Sequence, residues 1–311
     1  LNSQINSLKY QKINIERKKE NEDLFITSSQ RQFARSFFKH KMAFLGLIVL
    51  ICIFIMAIVG PIVSGYEGSK QSLMAANLKP DSNHWFGTDD LGRDVFTRVW
   101  LGARISLGIG IVAAILDIFI GILIGSIAGY AAGRNKIGDL IDSSLMRIIE
   151  TLYGIPYLLV VILLLVLMKP GLLTMIIALS LTGWISMARI VRAQVLQMKQ
   201  RQFVIAAELL GTNHFDILRK HILPNIIAVI FVNLTFTIPS AIFAESFLSF
   251  LGLGVQAPSA SWGTMANDAL GVILSGEWWR LFFPSLLIAL TMFAFNAIGD
   301  GLQDIFQVEV D

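Results

Sequence analysis

Phe203 to Asn225 reads FVIAAELLGTNHFDILRKHILPN, a polar-flanked stretch between two hydrophobic blocks that are each long enough to cross a bilayer. Gln202 to Leu210 holds good helix formers and no breaker, which predicts one short helix, and Gly211 stands where a left-handed C-terminal cap belongs. Asn213 followed by Asp216 predicts a second, capped helix. That helix is expected to stop near Leu223. Pro224 lacks a backbone donor, and Arg219, Lys220 and His221 would fill a last turn whose dipole favours positive charge. The small pair Ala206 and Ala207 leaves a shallow spot on the first helix, while Phe215, Leu218 and Ile222 line one face of the second. A knuckle of this shape fits a groove on another protein; the competing reading is an amphipathic hairpin lying on the membrane surface.

Outward from this stretch the chain is apolar. Of 311 residues, 55% are hydrophobic and 15% charged, against about 25% charged in an ordinary soluble domain. This is the composition of a membrane protein. A net charge of +3 is too small to point to nucleic acid, and the lone Cys52 excludes an internal disulfide and a cysteine-cluster metal site.

Residues 1–41 carry nine Lys or Arg and four acids and are expected to form a cytoplasmic tail. Within it, Phe33 and Phe37 lie one helical turn apart among basic residues, as in a helix resting on anionic headgroups or a plain juxtamembrane linker. Met42 to Val63 is uncharged for 22 residues, and about 20 suffice to span the hydrocarbon core. This is the first crossing. Its length and the long leader before it argue against a signal peptide. Ser64 to Trp100 is polar, and its Asp89, Asp90 and Asp94 lack calcium-loop spacing; a turn paired with Arg93 or Arg98 is the better reading. Residues 42–100 thus form a first helix with an extracytoplasmic segment, and 101–311 a core with five further crossings.

Ile105 to Ala132 is read as the second crossing, interrupted by Asp117, with Gly121, Gly125 and Gly129 spaced for close helix contact. A charged turn, Arg134 to Arg147, precedes the third, Leu152 to Met168. Lys169, Pro170 and Gly171 reverse the chain into the fourth, Leu172 to Ala188. Ile226 to Leu248 is the fifth and Leu281 to Ile298 the sixth. Between them, Ser249 to Arg280 reads as a re-entrant or interfacial excursion anchored by Trp278 and Trp279. The expected class is an all-α polytopic membrane protein of about six transmembrane helices. With the tail inside, eighteen Lys and Arg fall on inner segments and seven on outer ones, which puts both termini and the knuckle in the cytoplasm.

Polar groups on apolar helices, Asp117, Asn233, Glu245 and Asn296, are candidates for a translocation path or for interhelical hydrogen bonds. No Gly-Lys dipeptide exists, so a phosphate-binding loop is absent; no G-x-S-x-G elbow occurs, and His214 and His221 have no companion ligands for a metal. Three function classes stay open on these residues. They are a passive translocation subunit driven by a separate ATPase, an ion-coupled transporter using Asp117, and a membrane enzyme acting through Asp117, Glu245 or Asp300.

The knuckle resembles the coupling loop of the permease subunits of bacterial ABC importers, in which Glu-Ala-Ala, three residues, Gly, nine residues and Ile-x-Leu-Pro follow one another. Ala206, Ala207, Gly211, Leu223 and Pro224 match in register; Ile205 replaces the Glu and His221 the Ile. His84 to Leu107, Ser246 to Val255, Ser261 to Gly263 and Phe295 to Gly301 resemble the dipeptide and oligopeptide branch, which nickel importers share, so the likeness runs from Met42 to Asp304. It implies a peptide importer in the bacterial cytoplasmic membrane. It further implies a second, similar permease subunit, one or two ATPase subunits that bind ATP and Mg, an extracytoplasmic binding protein, and no cofactor in this chain. The residues it marks for ATPase coupling are Ala206, Ala207, Glu208, Gly211, Phe215, His221, Leu223 and Pro224.

Overall fold

The computed structural model describes residues 36–308, so most of the expected tail, including Phe33, lies outside the described residues. Five helical runs are long and apolar enough to cross a membrane. They are α1 (Lys41–Val63), α2 (Val95–Ala131), α5 (Leu172–Lys199), the run His214–Phe250, and α10 (Trp279–Val308). Two further helices, α3 (Lys136–Tyr153) and α4 (Tyr157–Met168), meet at 83° and are apolar enough to cross only when taken together, which makes six crossings at most. The chain is an all-α polytopic membrane protein.

Several boundaries differ from the sequence expectation: α5 runs on to Lys199 rather than ending at Ala188, α10 spans Trp279–Val308 rather than Leu281 to Ile298, and two further differences have a local reason. The second crossing begins at Val95 rather than Ile105, because the Asp94 carboxylate caps the helix by accepting from the Thr97 amide at 2.8 Å. Arg104, carried inside that helix, donates from Nε to the Ala57 carbonyl of α1 at 2.6 Å. The charged turn at 134–147 is in fact the start of α3, an amphipathic helix capped by Asn135, whose side chain accepts from the Gly138 amide at 2.7 Å. It ends at Gly154, Ile155 and Pro156, where proline disfavours helical geometry in the residue before it. The 12 residues of α4 span only about 18 Å, too little to cross the bilayer without α3.

Helix packing follows small residues. The buried positions of α1 are Ala43, Gly46, Leu50, Ile53, Ala57 and Gly60, alternating three and four apart, which is the spacing of a seam against neighbouring helices. α1 packs on α10 and α2, and its remaining apolar faces, Cys52 included, are exposed toward lipid rather than buried. The expected glycine seam holds α2 against α5. A Cβ at Gly121 would sit 2.6 Å from that of Met187, and one at Gly129 2.8 Å from the Arg192 carbonyl oxygen. Arg192 in turn grips Asp142 of α3 with two hydrogen bonds of 2.6 and 2.7 Å.

One end of the bundle is closed by residues 64–94 together with 251–278, which contain the short α9 (Trp262–Ala269) and its reciprocal Ser261–Thr264 capping box. Trp262 is fully buried and donates from Nε1 to the Val99 carbonyl at 3.0 Å. The Asp cluster is paired with both expected arginines, a third arginine and a histidine. Asp89 meets Arg93 at 2.7 Å and Arg98 at 3.5 Å, while Asp90 meets Arg280 at 3.0 Å and Asp94 meets His84 at 2.9 Å. Burial pushes the Asp268 carboxyl above the ordinary aspartate range, against the lowering pull of Arg98 and Arg93. Trp279 is not a headgroup anchor. It is 1% exposed and donates to the Thr88 carbonyl, whereas Trp278 is exposed. An indole buries when its N–H finds a partner.

Candidate coupling surface and intramembrane cavity

At the other end of the bundle the knuckle is a compact ledge. Its first helix, α6 (Gln202–Leu209), closes with a full two-bond cap: Gly211 N–H donates to the Glu208 carbonyl at 2.9 Å and Thr212 N–H to that of Ala207 at 3.1 Å. Gly211 has φ +78°, as expected, and a side chain there would meet open space, so its identity answers to backbone conformation alone. Gly211→Val is therefore predicted to cost about 1–2 kcal/mol of local stability. Faster thiol labelling at Thr212→Cys would report it, with insertion unchanged.

The second helix departs from expectation. α7 (His214–Asp216) begins at Asn213 without a side-chain cap, and Asp216 pairs with Lys220 at 3.2 Å instead. It does not stop at Leu223. A π-helical turn, Ile217–Ile222, carries it straight into α8 (Leu223–Phe250), with Leu223 N–H reaching back to the Leu218 carbonyl. The wider turn relieves the clash and the missing donor that Pro224 would impose on a regular helix. Asn225 Nδ2 takes up the His221 carbonyl at 2.6 Å. Arg219, Lys220 and His221 consequently face no helix terminus.

The inward face of the knuckle is Val204, Ala207, Ile217 and Ile222, packed with Leu218 and Leu223 on Tyr130, Met187, Val191 and Val195 of α2 and α5. Ala207, expected to face a partner, is 7% exposed and faces this chain's own core. Ala207→Trp would overpack that core and destabilise the chain itself. Ile222 also turns inward, so Phe215 does not share its face. Outward stand Phe203, Ile205, Ala206, Leu209, Leu210 and Phe215, with Leu209 and Leu210 84% and 85% exposed. Pro224 is exposed, and His221 and Leu223 half-buried.

Polar contacts tie this ledge to the end of α2. Arg134 reaches Glu208 at 3.3 Å and His214 Nδ1 at 2.8 Å, and its guanidinium lies 4.7 Å over the Tyr130 ring. Lys199 donates to the carbonyls of Tyr130 and Ala132, closing the C-terminus of α2. Glu208 is thus held by its own chain.

Within the membrane, α2, α4, α5 and α8 line an open cavity of about 450 Å3. Asp117 and Asn233 both line it, beside Tyr157, Thr182, Ser186, Thr237 and Ser240. The other two path candidates do not join them. Glu245 is fully buried and accepts from Ser249 Oγ at 2.7 Å, and Asn296 is exposed on α10. The hydroxyls that sequence reading passed over had a signal, since Asn233, Thr237 and Ser240 fall on one face of α8 and Thr182 and Ser186 on one face of α5.

Residues 121–310 match the family described as binding-protein-dependent transport system inner membrane component, and 29–80 match the N-terminal transmembrane domain of oligopeptide transport permease C. The chain belongs to this family of inner membrane transport components. The dipeptide transport system permease protein DppC of Bacillus subtilis is 60% identical over 266 residues, 86% of this chain and 81% of that protein. The oligopeptide permease protein OppC of the same organism is 52% identical over 86% of each chain, and OppC of Escherichia coli 38% over 87% and 88%. Among solved structures, the inward-facing MetNI methionine ABC transporter has a TM-score of 0.52 and 19% identity, covering 65% of this chain and 96% of that one. That likeness concerns the fold. As an inner membrane component the permease is a multi-pass transport subunit, not an enzyme.

Proposed function

We propose that this permease is the translocation subunit of an ATP-driven importer of dipeptides or oligopeptides, driven through residues 203–224 by a separate ATPase that binds ATP and Mg. The observation that carries the reading is the knuckle: bulky apolar side chains stand outward on a ledge whose inner face is packed into the bundle. The coupling set of the sequence reading divides accordingly. Ala206, Phe215 and Pro224 face out with Leu209 and Leu210, while Ala207, Gly211, His221 and Leu223 shape the ledge and Glu208 steadies it. The cargo class rests on the peptide systems to which the relatives named above belong. A second permease chain, an extracytoplasmic binding protein and membrane lipid complete the system, and no cofactor is assigned to this chain.

Reconstitution tests the reading. Vesicles holding this chain, its partner permease, the ATPase and the binding protein are expected to take up peptide only with ATP; uptake driven by an ion gradient alone would refute it. Mass spectrometry of the ligand that co-purifies with the binding protein decides between peptide and a nickel complex.

On the basic-residue bias we place the knuckle in the cytoplasm and the opposite end of the bundle, a cap formed by residues 64–94 and 251–278, outside. In a Cys52→Ser background, cysteines at Ser82 and Ser259, both exposed on the cap, are expected to react with an impermeant thiol reagent on intact cells. A cysteine at Thr212 is expected to react only after permeabilisation. Labelling of Thr212→Cys in intact cells reverses the orientation.

A further inference from the structure

The intramembrane cavity contains two buried polar atoms, Asp117 Oδ1 and the Tyr157 hydroxyl, that find no partner among the described residues. Asp117 is 3% exposed, its Oδ1 accepts no hydrogen bond, and it takes part in no ion pair among the described residues. The Tyr157 hydroxyl, buried on the facing helix α4, likewise has no partner among the described residues. Both line the same cavity. Asp117 lies about 33 Å along α2 from Val95 and about 21 Å from Ala131, deep within the crossing. Space for its carboxylate is made by Gly183 of α5, where a Cβ would run into the carboxyl group itself.

Such a carboxylate is costly in a bilayer unless a positive charge or donors reach it. None of the other lining residues is cationic. Asn233 commits its amide nitrogen to the Val229 carbonyl at 2.8 Å, which leaves its Oδ1 as an acceptor on the cavity side of α8. Thr237 and Ser240 likewise donate back into their own helix, at 2.9 and 2.8 Å. Beside the Thr182 and Ser186 hydroxyls, the site thus presents the Asp117 carboxylate and the oxygens of Tyr157 and Asn233 as acceptors, with apolar walls from Leu179, Met187, Phe236 and Ala244.

We propose that this cavity is a transit site for the primary ammonium group of the cargo, held by the Asp117 carboxylate, the Tyr157 hydroxyl oxygen and Asn233 Oδ1. The proposal rests on the peptide-importer reading above. A primary ammonium carries three donors and one positive charge, matching three acceptors of which one is charged. The apolar walls accept varied side chains without selecting among them.

The test uses the assembled complex in the Cys52→Ser background, with Ser240→Cys as a reporter at the cavity and a neutral maleimide as label. Trialanine is expected to slow labelling about ten-fold more than N-acetyl-trialanine, and Asp117→Asn is expected to abolish that difference. Equal protection by the two peptides, protection by neither, or a difference that survives Asp117→Asn overturns the proposal. So does protection by sodium chloride without peptide when choline chloride gives none, since the site would then hold an inorganic cation. If Asp117→Asn does not assemble, Tyr157→Phe decides: a reduced difference supports the site and an unchanged one overturns it. ATP-driven uptake of trialanine by the same complex separates the two readings. Uptake without differential protection removes only the ammonium site, whereas absence of uptake removes the importer reading beneath it.

Discussion

Replacing Leu209 and Leu210 together with glutamate is expected to leave the chain inserted and folded but to release it from its ATPase, with ATP-driven uptake lost. Both side chains touch little of their own protein, at 84% and 85% exposure, so removing them forfeits almost no internal packing. Glutamate forms helices about as well as leucine, so α6 keeps its geometry. At a docked surface, truncating a central apolar anchor costs about 2 kcal/mol or more, and two such losses are roughly a thousand-fold in affinity. Burying two carboxylates there adds to the penalty. Co-purification of the ATPase with the permease and uptake by reconstituted vesicles measure the two effects. If the knuckle instead rested on the membrane surface, the double substitution would leave ATPase binding intact, and a full complement of ATPase with normal uptake would end the coupling reading.

Gly125→Leu is expected to have the largest effect on folding. A Cβ at this position would meet the Ala188 carbonyl oxygen, sit 2.9 Å from Val191 Cβ and lie 3.1 Å from the Arg192 amide nitrogen. Two of these neighbours are backbone, so relief requires α2 and α5 to separate. The separation would open the cavity that the two helices share and pull Arg192 from Asp142. Overpacking of this kind costs about 3 kcal/mol, a large fraction of the net stability of a folded domain. Gly108→Leu is the control on the same helix, because a Cβ there meets nothing within 4 Å. Yield of monodisperse protein and its midpoint of thermal aggregation should fall for Gly125→Leu and hold for Gly108→Leu. Equal behaviour of the two would show that the seam does not set the helix distance.

What the sequence by itself determined is what depends on neighbouring residues alone. A bilayer demands about 20 consecutive apolar residues, so the crossings from Met42, Leu172 and Leu281 were legible as composition. The left-handed cap at Gly211 was legible too, because its two hydrogen bonds close within one turn of chain. Asp89 found Arg93 and Arg98 because all three lie within ten residues.

Only the tertiary structure decided which side of each helix faces protein. In a membrane chain both the lipid-facing and the buried sides are apolar, so hydrophobic periodicity loses its power to tell them apart. The helix α6, outside the crossings, shows the same loss: Phe203, Ile205 and Leu209 point out while Val204 and Ala207 point in, and nothing in their polarity separates the two sets. Asp117 and Tyr157, forty residues apart in the chain, came to line one cavity, while Asn296, also polar, stands exposed outside it. Pro224 read as a helix end, and a π-helical turn made it part of a continuous crossing. Each of these outcomes was settled by which helices pack against which, and that depends on small residues and orphaned polar atoms finding one another in three dimensions.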